Sequence, residues 1–562
     1  MNQKEIIRDL WTIGGMALLL IAAGLGWRDP WPADEPRFAL IARDMVATGQ
    51  WLFPQVGGDP YPDKPPLFMW LIAAFYWLTG SLRLSFLLPS LLAGLGTLAL
   101  VYDLGRRLWD REAGRWAALA LLFAVQFTLQ AKRAQIDMVL VSLTTLSLYA
   151  FLRYLLLGHG VRWWALGGFA AGLGVITKGV GFLPFLVLLP YAYARRKQWT
   201  LPHVGTGWTW AIAPAAFFVA IGLWLVPMLI AVAGSGDPSL IAYRDEILLH
   251  QTAQRYTAAW HHHQPFYYYF TVIVSLWIPL AILIPWLAPR WKERILAHDA
   301  RVLLPLAWIV LVLVFFSASP GKRGVYIFPA LPALALLSGE WLKNLAQQRG
   351  VQRAGAIFST FVVLVCAAVF VFLTWIKPER TAELIEKAGA NILPPLAVIS
   401  ILGAIVLAVF KARRGLLATA WVMSIVWLVF SVVISPRING GRSASGFVAK
   451  LEAAADPARE LGLVGYKEQF LLYLKRPIVN FGHARWREGP AETYDAARWL
   501  NEAPNRQLMV NENQLNPCFA PASQATEVGS SSGDRWFLVS APASVECARQ
   551  GSADKVFQYR PR

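Results

Sequence analysis

Charged side chains are scarce in this chain. Of 562 residues only 15% are Asp, Glu, Lys or Arg, against roughly 25% in soluble globular chains. That excludes an ordinary water-soluble fold and indicates a membrane protein. Also missing are a Gly-rich phosphate loop, a Cys/His zinc spacing and a Ser nucleophile motif. ATP chemistry of the soluble type is thereby disfavoured, and an activated substrate has to arrive in the membrane. Cysteine is nearly absent, with three in all. Cys366 lies in an apolar run and reads as inert; Cys518 and Cys547 share the polar C-terminal region and are candidates for a disulfide if that region lies outside the cytoplasm.

What the chain does have is apolar length. It is 56% hydrophobic, with 26 Trp, 17 Tyr and 30 Phe, a composition suited to aromatic belts at membrane interfaces. Apolar segments fall at 10–27, 84–104, 116–131, 138–157, 163–177, 180–194, 208–233, 266–288, 302–317, 325–342, 355–376, 392–410 and 416–435, about thirteen membrane helices. The first reads as a retained helix, because no small-residue cleavage site follows it. Leu67 to Thr79 is too short to span comfortably and reads as a juxtamembrane helix.

The net charge of +18 does not indicate nucleic acid, because most basic residues sit in short loops between apolar spans, where they meet lipid headgroups. Alternate loops carry clusters such as Arg106, Arg107, Arg111 and Arg115, then Arg195, Arg196 and Lys197, then Lys411, Arg413 and Arg414. The positive-inside rule makes this set cytoplasmic, together with the N-terminus. An odd number of spans then places everything after about residue 437 outside. There, short apolar runs at Leu461–Gly465, Pro477–Phe481, Gln507–Val510 and Arg535–Val539 read as strands, with helices at Gln469–Leu474 and Ala491–Asn501. That alternation predicts a small α/β domain. The expected division is a membrane part over 1–436 and a soluble periplasmic domain over 437–562, with outer loops 28–83 and 234–265 forming the active site.

The outer loops hold charges that need a reason, because ionised groups beside a membrane are costly. Asp34-Glu35-Pro36-Arg37 opens an amphipathic helix to about Ala47, which Asp34 is expected to cap while also being a catalytic candidate. Tyr61-Pro62-Asp63-Lys64-Pro65-Pro66 is either a solvated turn or a rigid mount for a phosphate-binding lysine. Asp137 opens a span and is a cap or a functional carboxylate; Lys178 reads first as a snorkelling side chain. Lys322 to Tyr326 forms a short hairpin in which Tyr326 is an interface anchor or a ligand contact. His261-His262-His263 reads as an interfacial anchor, since consecutive helical residues point about 100° apart and do not converge on one ion. Cations against spans on the outer side suit an anionic ligand, with lipid-linked phosphate the obvious candidate.

These motifs, in this order and on one side, resemble the GT-C glycosyltransferases. The likeness is to the family-39-like bacterial group related to aminoarabinose transferases of lipid A, and more distantly to protein O-mannosyltransferases. It covers residues 10 to 435 and includes Ile136-Asp137, Thr177-Lys178-Gly179, His250 to Tyr256 and Lys322-x-x-x-Tyr326. The resemblance implies transfer of a sugar from a polyprenyl (undecaprenyl) phosphate carrier at the outer face of the bacterial inner membrane. Asp34 matches the family's catalytic aspartate and Asp137 a second functional one. Lys64 and Arg255 match ligands of the carrier phosphate, and Tyr326 a donor-site tyrosine. Tyr61, Glu35, Arg37 and Lys322 lie in the matching motifs and are expected to help bind donor or substrate. No cofactor is expected for the chemistry. Relatives hold a metal ion between a Glu and a His that match Asp63 and His250, so a divalent ion is expected only if the shorter Asp63 serves.

The expected reaction is inverting transfer to lipid A or a related envelope glycolipid, with a protein acceptor as the alternative enzyme reading. A transporter of lipid-linked sugars would place paired charges near mid-membrane in two similar halves. Here the charges gather at one face, which ranks the transporter below both enzymes.

Overall fold

The computed structural model describes residues 3–249, 263–483, 485–515, 518–519 and 525–561. Helix falls on every one of the thirteen apolar segments. Among the described residues seven helices are long and apolar enough to cross a membrane alone, and a pair bent by 101°, Tyr268–Leu276 and Leu280–Leu296, makes an eighth if it is one span. The chain is thus a polytopic helical membrane protein. The expected 116–131 segment is divided at Ala124 into helices Arg111–Phe123 and Val125–Ala131, and 180–194 is covered by a 3-10 turn leading into Leu188–Arg196.

Small residues set how closely these helices approach. Gly168 and Gly172 face the helix Ile212–Ser235, where an added Cβ would stand 2.0 Å from the Ala213 carbonyl oxygen and 2.3 Å from that of Phe217. Close backbone contact of this kind is how membrane helices pack without a hydrophobic drive between them. It fixes the helix Val161–Lys178, and therefore Lys178 at its end. At the other end of the bundle, charges are closed among themselves: Arg111 donates to both Asp9 oxygens and Arg107 to Asp103.

The two outer-loop helices run as expected, Glu35–Thr48 and Leu67–Thr79. Between them a two-residue antiparallel ladder pairs β1 (Gln55–Val56) with β2 (Asp59–Pro60). The C-terminal region builds a six-stranded sheet from β3 (Glu460–Leu463), β4 (Ile478–Asn480), β5 (Arg506–Asn511), β6 (Thr526–Ser531), β7 (Asp534–Val539) and β8 (Phe557–Tyr559), in the order β6-β7-β5-β3-β4-β8. β4, β3 and β5 are parallel and the flanking strands antiparallel. The helix Ala491–Asn501 lies between β4 and β5, which run parallel on either side of β3, so the chain crosses over to return in the same direction. Cys518 and Cys547 form a disulfide.

β6 and β8 went unread because Thr526–Ser531 is polar and Phe557–Tyr559 only three residues long, leaving no apolar run to notice. The sheet is also less separate than a boundary near 437 suggests. Phe38 and Phe68 of the first outer loop, with Phe86 just beyond it, share one apolar core with Leu463, Phe470, Leu471 and Trp536. The C-terminal region therefore packs onto the loop that carries Asp34.

Candidate functional site

Asp34 stands at the N-cap position of Glu35–Thr48, but its side chain makes no capping hydrogen bond. This corrects the expected cap. Its Oδ2 instead accepts from the Gln135 amide at 3.0 Å, with the Arg323 guanidinium at 3.9 Å and that of Arg37 at 3.8 Å. The carboxylate is one-quarter exposed and no cation touches it at hydrogen-bond distance among these contacts. An ionised carboxylate has about four acceptor sites, so Asp34 retains capacity for a substrate.

Glu35, next in the chain, turns the other way. Both of its oxygens meet Arg28, one also accepting from the Trp31 N–H at 2.9 Å and the other from the Ala134 N–H at 3.1 Å. The pair is buried, and Arg28 also donates to the Lys132 carbonyl at 3.1 Å. The Glu35 carboxylate thereby clamps the first outer loop onto the 132–135 connection. That connection carries Gln135, so the clamp sets the partner of Asp34.

Asp137 lies inside the first turn of Ile136–Leu157 rather than at its cap. It forms a buried ion pair with Lys178, whose Nζ also sits 4.9 Å above the Tyr326 ring. Lys178 therefore does not snorkel: its ammonium is taken by the Asp137 carboxylate. Two segments tie this triad to Asp34. Residues 135–137 supply both Gln135 and Asp137, and 323–326 supply both Arg323 and Tyr326. Lys322, in the same hairpin, is buried and donates to the carbonyls of Ser319 at 2.7 Å and Gln264 at 3.2 Å. Those bonds hold the turn in place.

On the far side of Asp34, the C-terminal region closes over the loop. Arg37 Nε donates to Glu468 Oε1 at 2.6 Å, and its guanidinium lies 5.8 Å from the Tyr61 ring centre. Burial acts to lower the Arg37 pKa, but the Glu468 carboxylate and the Tyr61 phenol together hold it above the usual value. Burial pushes the Tyr61 phenol up, with Arg37 opposing. The Tyr61 ring packs edge-on against the His483 ring, and the His483 backbone N–H donates to the Asp59 carboxylate at 2.8 Å. Lys64 is partly buried and donates to the Asp63 carbonyl at 2.8 Å. Tyr61, Asp63 and Lys64 thus lie on the Arg37 side of Asp34, and Asp137, Lys178 and Tyr326 on the Gln135 side.

A cavity of about 310 Å³ opens beside Asp34. Arg28, Lys132, Arg133, Arg323 and Arg442 line it with Trp31, while Leu87, Leu91 and Leu129 form an apolar wall. Cations meeting an apolar wall suit an anionic head on a hydrocarbon chain. Arg28, Arg323 and Arg442 were missed as site residues. Arg323 had a signal, since it lies within the hairpin already singled out. Arg442 had none, because it arrives from the helix Ser435–Arg442, which Asn439 ties to the Asp29 N–H at 2.9 Å and the Trp31 indole at 3.0 Å.

Arg255 and His250 lie outside the described residues, as do His261 and His262. Asp63 is the described half of the expected metal pair. Among the described residues no three His, Cys, Asp or Glu side chains converge as a metal site.

A family model for dolichyl-phosphate-mannose-protein mannosyltransferases matches residues 63–224. An undecaprenyl phosphate-α-4-amino-4-deoxy-L-arabinose arabinosyl transferase of Pseudomonas fluorescens is 28% identical over 84% of this chain and 82% of its own length. One of Pseudomonas aeruginosa is 32% identical over 66% of this chain and 67% of its own. Among solved structures, ArnT from Cupriavidus metallidurans bound to undecaprenyl phosphate superposes with a TM-score of 0.74 at 22% identity, covering 96% of this chain and 98% of that one. An Archaeoglobus fulgidus oligosaccharyltransferase reaches 0.50 at 12% identity, over 90% of this chain and 69% of its own. The fold is that of the GT-C glycosyltransferases.

Proposed function

The chain belongs to the family of undecaprenyl phosphate-α-4-amino-4-deoxy-L-arabinose arabinosyl transferases, and on that footing we propose that it moves a sugar from a polyprenyl phosphate to lipid A or a related envelope glycolipid. The observation that carries this reading is the Asp34 carboxylate, held off its helix cap in the lining of a cation-rich cavity with an apolar wall. In the reaction an acceptor oxygen bonds to the anomeric carbon as the bond from that carbon to the carrier phosphate breaks, with inversion. Lys64 and Arg255 stabilise charge growing on the departing phosphate. Tyr326 flanks the donor, with the Lys178 ammonium over its ring, and Asp137 fixes Lys178 there. A hydroxyl acceptor would give its proton to Asp34. A phosphate acceptor has none to give, and Asp34 then offsets positive character on the sugar. Side chains alone meet the charge in this scheme.

The site would face the periplasm from the inner membrane. Thirteen crossings with a cytoplasmic N-terminus, the shorter helices supplying those beyond the long ones, put residues 437–562 on the same side. The Cys518–Cys547 disulfide supports that placement, because such bonds persist in oxidising compartments. The mannosyltransferase match over 63–224 favours a second reading, transfer to protein.

The test uses purified full-length protein in lipid, the undecaprenyl phosphate-linked aminoarabinose donor and lipid A. Wild type is expected to shift the lipid A mass by one sugar, and Asp34→Asn to lower the rate at least about 100-fold. An Asp34→Asn protein with wild-type turnover would refute the role given to Asp34. Unchanged lipid A with new glycoproteins in cells would favour the protein acceptor.

A further inference from the structure

Resting on the reading of Asp34 as the group beside the reacting sugar, we propose that Glu468 of the C-terminal region is a positioning residue for transfer: it holds Arg37 away from Asp34 and so keeps that carboxylate available to substrate. Arg37 follows Asp34 by three positions, where helical neighbours of opposite charge ordinarily pair. Here they do not close. The Arg37 guanidinium stands 3.8 Å from Asp34 but donates from Nε to Glu468 at 2.6 Å. Two carboxylates compete for one cation. At these separations attraction scaling as 1/r favours Glu468 by about 1.5-fold before any difference in screening. Screening adds to that advantage, since the Glu468 side chain is 11% exposed and that of Asp34 25%.

Glu468 is itself fixed. His483 Nε2 lies 3.6 Å from the same oxygen, and the Tyr61 ring lies against both His483 and Arg37. On its other sides Asp34 faces Gln135 and Arg323, neither of which displaces Arg37.

The bland alternative makes Arg37–Glu468 mere glue between the C-terminal region and the outer loop. That seam has other fastenings. Arg43 donates to the Leu471 and Leu472 carbonyls at 3.1 Å, the Asn480 amide donates to Gly57 at 2.8 Å, and an apolar core runs across the interface. The seam therefore does not need the charge on Glu468. Asp34 does, because a neutral residue at 468 would release Arg37 to pair with it and occupy the oxygens that the reacting sugar or acceptor must meet.

The experiment is steady-state transfer by full-length protein in lipid, with the undecaprenyl phosphate-linked aminoarabinose donor and lipid A, for wild type, Glu468→Gln and Glu468→Asp. Glu468→Gln is expected to lower kcat about tenfold or more, with donor KM within about twofold, the signature of an interaction that matters only in the transition state. Glu468→Asp, which keeps the charge, is expected to recover most of kcat. Thermal melts of both variants near that of wild type are expected and confirm that the seam holds. Glu468→Gln with wild-type kcat, with a raised KM alone, or with a loss that Glu468→Asp does not recover while the melt falls, overturns the inference and leaves the proposed function standing. A wild-type protein that transfers no sugar overturns the proposed function and the inference with it.

Discussion

Removing the Glu35 carboxylate would show whether it is a clamp or a substrate contact. In Glu35→Ala the buried Arg28 loses its counter-ion and the N–H groups of Trp31 and Ala134 lose their acceptor. Breaking a buried pair from one side costs about 3–5 kcal/mol. Each orphaned N–H adds a further cost of about 1–3 kcal/mol where water does not reach it. These terms overlap and do not add in full, so we expect about 4 kcal/mol. At about 2 °C per kcal/mol for a large cooperative unit, that lowers the melting temperature by about 8 °C. The assay is thermal unfolding of the purified protein in detergent, beside Arg28→Met and the double variant Arg28→Met/Glu35→Leu. The double variant removes both charges and is expected to recover most of the loss, as replaced buried pairs do. A Glu35→Ala protein that melts within 2 °C of wild type and shows only a raised donor KM would refute the clamp. So would a double variant no more stable than the single one.

Lys178→Met strands Asp137 as a buried carboxylate and takes the cation off the Tyr326 ring. It should cost about 3 kcal/mol of stability and lower transfer about tenfold or more; Asp137→Asn/Lys178→Met should regain stability but not turnover, as melting and activity measured together will show. In the C-terminal sheet domain, burial pushes the Glu492 carboxyl up to about 7, the Gly465 N–H bond opposing it only in part. The folded state thus holds this proton more tightly than the unfolded chain, near the usual 4.5. The stabilisation is complete below pH 4.5 and is lost as pH rises through about 7, a change of about 3 kcal/mol. Melting temperatures from pH 5 to 8 should fall less in Glu492→Gln than in wild type. Reducing the Cys518–Cys547 bond, which closes a separation of 29 residues, should destabilise the same region by about 3–4 kcal/mol. Limited proteolysis with and without dithiothreitol measures it, and equal cleavage rates would count against that figure.

Much of the architecture was legible from local pattern. Long apolar runs announce helices, so helix falls on all thirteen expected segments. Among the described residues seven or eight of these are long and apolar enough to cross a membrane alone, and Leu67–Thr79 was bounded to the residue. Ala491–Asn501 and four strands of the sheet followed from short apolar runs. β6 and β8 carried too little apolar signal to be seen.

Side-chain partners were a different matter. By itself the sequence determined the membrane class, the helical segments and the loops on which costly charge gathers, because each depends on residues close together in the chain. Only the tertiary structure decided what those charges do. Asp34 left its own helix cap for Gln135, which is 101 residues away, and Asp137 took Lys178, 41 residues away. Arg37 went to Glu468 across a separation of 431. Such pairings leave no periodic trace in the chain. They follow from which buried groups the packed helices and the C-terminal sheet bring within hydrogen-bond reach, where an ion without a partner would cost several kcal/mol.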